Sequence, residues 1–71
     1  MDTGYWVFAD RIFDQVGYTG FWIEDGFIHG PDGMTRFRIE GKHIFGPRGD
    51  TGYTIEDGRI LGPGEPLPWR F

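Results

Sequence analysis

The sequence predicts an all-β fold of four tandem β-hairpins around one shared core, and three observations support this prediction. A sixteen-residue pattern recurs four times, over residues 3–18, 19–34, 35–50 and 51–66. Each repeat holds two short alternating apolar segments separated by a two-residue turn signal. Aromatic residues make up 18% of the chain and glycine supplies 13 of its 71 residues, a composition typical of strands and turns. Repeats of this length bury their apolar faces only against one another, so residues 1–71 form a single domain.

Each repeat carries a threonine and three apolar residues at constant spacing. The threonine opens the repeat, an aromatic residue follows two positions later, a β-branched residue comes two further on, and an isoleucine five beyond that. These positions are Thr3, Tyr5, Val7 and Ile12; Thr19, Phe21, Ile23 and Ile28; Thr35, Phe37, Ile39 and Ile44; and Thr51, Tyr53, Ile55 and Ile60. Because side chains alternate along a strand, the three apolar residues share a face, which we expect to form the core.

A two-residue turn is predicted inside every repeat. The turns are centred at Ala9-Asp10, Asp25-Gly26, Gly41-Lys42 and Asp57-Gly58. Asp-Gly is the strongest of these signals, because a type I′ turn needs positive φ at both central residues. The turn fixes the register, so that Ile23 lies opposite Ile28, and the other hairpins follow the same rule.

The segments between hairpins are predicted as proline-glycine turns. They read Gly30-Pro31-Asp32-Gly33, Gly46-Pro47-Arg48-Gly49 and Gly62-Pro63-Gly64, whereas the first repeat has Asp14-Gln15-Val16-Gly17. Proline sets φ for the first central position, and a later glycine supplies positive φ. The leading glycine lies opposite the aromatic residue of its hairpin, so we expect the ring to lie over a partner without a side chain.

The C-terminal residues 67–71 continue the pattern for half a repeat. This alignment puts Trp69 at the aromatic position and Phe71 at the following β-branched position. A ninth strand here could pair with the first hairpin and close the ring, which would remove the edge that a radial repeat otherwise exposes. The alternative is a loose tail, which the three prolines in residues 62–68 favour, because proline is rare in central strands.

One motif recurs in the second and fourth repeats. Residues 23–31 and 55–63 both read Ile-Glu-Asp-Gly-x-Ile-x-Gly-Pro, and Leu-Pro-Trp follows at 67–69. Together with the four tandem hairpins, this combination resembles the small bacterial four-fold β-flower proteins. The resemblance implies four hairpin petals around a pseudo-four-fold axis. It implies no catalytic residues, because no general activity is established for that family.

Length and charge limit the functional classes. A chain of 71 residues buries a smaller share of its surface than a large domain does, and without cysteine it has no disulfide, so self-association is the expected supplement. The net charge of -4 and the pI near 4.8 disfavour nucleic acid and anionic membranes as partners. The sequence shows neither an apolar run of membrane-spanning length nor a signal pattern, so a cytoplasmic location is expected.

The outward face of the hairpins is where a binding function is expected, because the other face is committed to the core. Cross-strand pairs on this face form the candidate binding site: Trp6 with Phe13, Trp22 with His29, and Arg38 with Phe45. Polarity increases from the first hairpin to the fourth. An apolar patch therefore forms on the first two hairpins, made of Trp6, Phe8, Phe13, Trp22 and Phe27.

Three interpretations of this patch are open. Its rings could pack on neighbouring hairpins, cover a partner protein, or form a platform for a glycan. We favour a small non-catalytic protein-interaction or structural module whose partner is a second copy, giving a homodimer, or another protein. The alternative is a carbohydrate-binding module in which Trp6 and Trp22 stack on sugar rings beside His29 and Arg38.

Enzymatic chemistry finds little support in the sequence. Glu24, Glu40 and Glu56 recur at one position per repeat beside the turn, which is typical of a solvated rim, whereas an active site brings dissimilar groups together. His29 and His43 lie at non-equivalent positions on different hairpins, so we expect no metal site. No motif indicates a cofactor, and we expect none.

Overall fold

The computed structural model describes residues 1–64 and 66–69 of the chain, which form eight antiparallel strands and no helix. The strands are β1 (Asp2–Phe8), β2 (Arg11–Asp14), β3 (Gly17–Glu24), β4 (Phe27–Gly30), β5 (Gly33–Glu40), β6 (His43–Gly46), β7 (Gly49–Glu56) and β8 (Arg59–Leu61). Each strand pairs with the next along the chain, and β8 pairs with β1, so the sheet is a closed barrel. The predicted all-β hairpin repeat is confirmed.

All four hairpins have the predicted turns and register. Residues 9–10, 25–26, 41–42 and 57–58 form the turns, and the predicted cross-strand partners face one another in every hairpin. Three turns have positive φ at both central residues, even where these are Ala9 (52°) and Asp10 (63°). In the remaining turn only Gly41 does, the pattern of a type II′ turn.

The core is a ring of four isoleucines, one from each even-numbered strand. Ile12, Ile28, Ile44 and Ile60 are all 0% exposed. Each one faces the β-branched residue of its own hairpin and the aromatic residue of the following hairpin, as Ile12 faces Val7 and Phe21. The isoleucine ring therefore lies between an aromatic layer and an aliphatic layer, and the predicted shared core is confirmed.

A two-residue bulge interrupts every junction between hairpins. At the β2–β3 junction Ile12 faces Phe21 but Phe13 faces Tyr18, so two residues of β3, Thr19 and Gly20, have no partner on β2. The same shift occurs at the other three junctions. In each bulge the threonine hydroxyl donates to the carbonyl of the buried isoleucine at 2.7 Å. It also accepts the N–H of the aromatic residue two positions later, at 3.1–3.3 Å.

The ring closes between β8 and β1 rather than through a ninth strand. The N–H of Gly62 donates to the carbonyl of Met1 at 2.8 Å, and the guanidinium of Arg59 lies 2.6 Å from the carboxylate of Asp2. The edge of β8 is therefore occupied by β1, and residues 67–69 lie outside the sheet. The expectation of a ninth strand is therefore wrong for these three residues. Its remaining part, with Phe71, lies outside the described residues.

Residues 66–69 instead form a C-terminal plug at one end of the barrel. Leu67 is 1% exposed and Trp69 is 8% exposed, so the alternative of a loose tail is also wrong for these residues. The Trp69 ring packs on the rings of Phe21 and Phe37, with centroids 6.5 and 5.7 Å away. The Tyr53 hydroxyl donates to the carbonyl of Pro66 at 2.7 Å and holds the start of the plug.

The aromatic layer depends on the glycines that precede the prolines. A Cβ atom on Gly30 would lie 2.5 Å from the ring of Phe21, and one on Gly46 would lie 2.7 Å from the ring of Phe37. Real Cβ atoms do not approach rings so closely, so only glycine permits these ring positions. A Cβ atom on Gly62 would likewise collide with the ring of Tyr53, so the predicted placement of aromatic rings over glycine is confirmed in the second, third and fourth repeats.

The third bulge contains a strained residue that suggests a stabilising substitution. Arg36 has a φ of 73° at the position where the other repeats have Gly4, Gly20 and Gly52. Arg36→Gly should raise the free energy of unfolding by about 1 kcal/mol, because a left-handed conformation costs a non-glycine residue roughly 1–2 kcal/mol and the greater freedom of unfolded glycine offsets part of the gain.

Urea denaturation measures this change, and Arg36→Ala is the matched control. The alanine variant removes the guanidinium but keeps the Cβ atom, so it should not be stabilised. A glycine variant no more stable than the alanine variant would contradict the strain at this position.

Candidate functional site

The six predicted site residues all face outward from the barrel and are half-buried. The structure forms each predicted pair. Trp6 stacks on Phe13 with centroids 6.3 Å apart and planes at 12°, and Trp22 stacks on His29 at 5.6 Å and 14°. In the third pair, the guanidinium carbon of Arg38 lies 5.0 Å from the ring centroid of Phe45. The pairs occupy the same position on three consecutive hairpins.

Tyr18 joins this surface and was missed from the sequence. Its ring centroid lies 5.6 Å from that of Phe13, and the guanidinium carbon of Arg11 lies 5.7 Å from the Tyr18 centroid. In an unbulged ladder Gly20 would face Phe13, so the bulge brings Tyr18 into contact. The sequence signal for this contact was Gly20, because a glycine within a strand pattern often marks a bulge.

Side chains from both neighbouring strands contact the Trp6 ring. Phe13 of β2 stacks on one side, and the guanidinium carbon of Arg59 of β8 lies 5.9 Å from a ring centroid of Trp6. Arg59 is held there by Asp2, and the hydrogen bond from its guanidinium, helped by the Gly4 N–H, keeps the pKa of the Asp2 carboxyl below its usual value. A shallow groove of about 330 Å³ also lies beside this ring and is lined by Trp6, Val7, Phe8, Asp57, Gly58 and Arg59.

Three aromatic side chains of the first two hairpins remain well exposed. Phe8 is 69% exposed, Tyr18 47% and Phe27 37%. At the positions of Phe8 and Phe27, the third hairpin has Glu40 and His43 instead. We call the outward rings of the first two hairpins the aromatic surface, and its members are Trp6, Phe8, Phe13, Tyr18, Trp22 and Phe27.

A shallow groove lies on this surface between hairpins one and two. It has a volume of about 300 Å³ and is lined by Ala9, Asp10, Arg11, Tyr18, Trp22 and Ile23. Since His29 on β4 covers one side of Trp22, the groove lies on the side that faces β2. Trp22, like Trp6, therefore lies next to an open groove that also contains charged side chains.

The members of the aromatic surface offer ring faces, and Arg11 and Arg59 add guanidinium groups beside them. Within residues 1–64 and 66–69 no three metal-ligating side chains come together. The same residues include no helix that is long and apolar enough to cross a membrane.

The chain matches no protein-family model, and no curated protein and no solved structure is significantly similar to it. Membership of the four-fold β-flower proteins, expected from the hairpin motif, therefore stays a prediction. The functional argument depends on the geometry of this chain alone.

Proposed function

We propose that this protein is a small non-catalytic interaction module that binds a second copy of itself through the aromatic surface. The observation that carries the proposal is the exposure of Phe8, Tyr18 and Phe27 on adjacent hairpins. Since a large aromatic residue has about 150–250 Å² to bury, the three together expose roughly 300 Å². That is more than a third of the roughly 800 Å² that each partner contributes to a standard interface.

The closed barrel determines how a partner can bind. Each of the eight strands has two hydrogen-bonded neighbours, so no strand edge is left for pairing with another chain. A partner must therefore contact side chains on the barrel surface. A two-fold axis through the aromatic surface is the simplest such arrangement, because it uses one patch twice.

Two aromatic pairs on the outward face are also preorganised for binding. Cross-strand stacking fixes Trp6 against Phe13 and Trp22 against His29, so these rings lose little conformational freedom in a complex. Aromatic residues and arginine are enriched at the centres of interfaces, and Arg11 lies among the rings. Asp10 adjoins Arg11 along the chain, and Glu24 lies two residues beyond Trp22, the cross-strand partner of Arg11, so two copies related by a two-fold axis can pair opposite charges.

Phe8→Glu tests this proposal by sedimentation. The other hairpins already carry glutamate at this position, as Glu24, Glu40 and Glu56, so the substitution is compatible with the fold. We expect a dimeric wild type and a monomeric variant, because the variant places a charge on the most exposed ring of the contact. The monomer should unfold at the same midpoint as wild type diluted below its dissociation constant.

Lys42→Gln is the matched control, because it changes the net charge by the same single unit at the exposed turn of the third hairpin, away from the aromatic surface. It should leave the dimer intact. A monomeric wild type, or a Phe8→Glu variant that keeps the dimer mass, would remove the self-association proposal.

The groove beside Trp22 supports a carbohydrate-binding module as a second candidate. A planar ring next to Asp10, Arg11 and the Tyr18 hydroxyl provides both stacking and hydrogen bonds for a sugar. This candidate predicts that cellotetraose shifts the indole N–H NMR signal of Trp22, because the Trp22 ring lines this groove. The absence of any shift at millimolar oligosaccharide would eliminate it for this class of sugar.

A further inference from the structure

The end of the barrel that holds the C-terminal plug contains a cavity away from the aromatic surface. It lies between the plug and the β4–β5 turn and has a volume of about 320 Å³. Three rings line it, those of Phe21, Phe37 and Trp69, together with the backbone of Gly30 and the side chains of the turn. A volume near 300 Å³ is at the lower end of the range for ligand pockets and suits a small ring compound.

Trp69 brings an unused hydrogen-bond donor to this cavity. The residue is 8% exposed, and its Nε1–H has no acceptor among the residues that the structure describes. Nearly all buried polar groups in proteins have a partner, so an unpaired donor beside a cavity points to an acceptor supplied by a ligand. Because Nε1 itself is shielded from solvent, the indole must rotate slightly to make that contact.

The other polar groups of the cavity select the charge of the ligand. The Thr35 hydroxyl is already engaged, since it donates to Ile28 and accepts from Phe37. The carboxylate of Asp32 is exposed at the rim and accepts hydrogen bonds only, so it repels anions and favours N–H donors. Met34 is 53% exposed and lines the same cavity, where its flexible side chain can adapt to a ring.

We infer that this cavity binds a small neutral aromatic carboxamide. The ring of the ligand contacts Phe21 and Phe37, its carbonyl oxygen accepts from the Nε1–H of Trp69, and its amide N–H donates to Asp32. The two rings and Asp32 line the cavity, the Nε1–H of Trp69 reaches it once the indole rotates, and no charged group of the ligand is buried.

The next repeat provides an internal comparison. An equivalent cavity of about 650 Å³ lies beside the β6–β7 turn and is lined by Phe37, Gly46 and Pro68, with Arg48 in the place of Asp32 and Asp50 in the place of Met34. Trp69 is not among its lining residues. Since Arg48 and Asp50 offset each other, this cavity should discriminate less between an anionic ligand and a neutral amide than the Asp32 cavity does.

Benzamide is the probe that tests this inference, with benzoate as the control that keeps the ring and the carbonyl but carries a negative charge. In the full-length protein, benzamide should shift the indole N–H NMR signal of Trp69 downfield in a saturable manner. Benzoate should leave this signal in place. No saturable shift with benzamide at millimolar concentration would overturn the proposal.

Two variants test the proposed hydrogen bonds to Trp69 and Asp32 one at a time. Trp69→Phe keeps a ring in the plug but removes the donor, and it should weaken benzamide binding roughly tenfold, the effect of losing one hydrogen bond. Asp32→Ala should weaken binding and reduce the preference over benzoate. Calorimetric titration measures both affinities, and thermal unfolding shows that each variant is folded. Equal affinity in Trp69→Phe would show that the ligand accepts no hydrogen bond from the indole N–H, and it would overturn the carbonyl contact.

Phe8→Glu serves as the reference for the aromatic surface. It should bind benzamide as wild type does, because Phe8 lies on the outer face of β1 and outside the cavity. The proposed benzamide site and the proposed self-association are therefore tested independently of each other. Loss of benzamide binding in Phe8→Glu would place the probe on the aromatic surface and overturn the assignment to the cavity.

Discussion

The hydrogen bonds of four threonine hydroxyls hold the hairpins together. Each hydroxyl spans a bulge, donating to a buried isoleucine carbonyl and accepting an aromatic N–H. The hydroxyl therefore links the two strands at the point where the bulge interrupts the ladder, next to the core, where unpaired polar groups are costly. Since a bulge bends and twists the sheet, four of them at equal intervals let eight short strands form a closed ring.

The residues that build the fold recur in all four repeats, whereas the candidate sites are formed by residues that differ between repeats. The isoleucine ring and the four bulges are repeated with little change, but the outward positions are not. Phe8 stands where the other hairpins have glutamate, and Asp32 and Arg48 place opposite charges at one position of two connecting turns. A repeat needs only its inner face and turns to fold, so its outer positions are free to diverge toward binding.

Much of this architecture could be predicted from the sequence because it depends on local signals. Asp-Gly turns such as Asp25-Gly26 fix the register, and the register determines which side chains face the core and which form outward pairs such as Trp22 with His29. The bulges were not predicted, because the same threonine and glycine letters fit a regular strand. For that reason the contact of Tyr18 with Phe13 was missed. Ring closure by β1 was also missed, because it depends on how the barrel curves rather than on any local pattern.

The central claim is that the threonine hydroxyl, rather than the shape of its side chain, holds each bulge. It is tested most directly by comparing the urea unfolding of Thr35→Val, which keeps the branched shape, with that of Thr35→Ser, which keeps the hydroxyl. We predict that valine lowers the free energy of unfolding by about 1–3 kcal/mol, the cost of leaving the Ile28 carbonyl and the Phe37 N–H unpaired, and that serine lowers it much less. A valine variant as stable as wild type, or a serine variant less stable than the valine variant, would contradict the account.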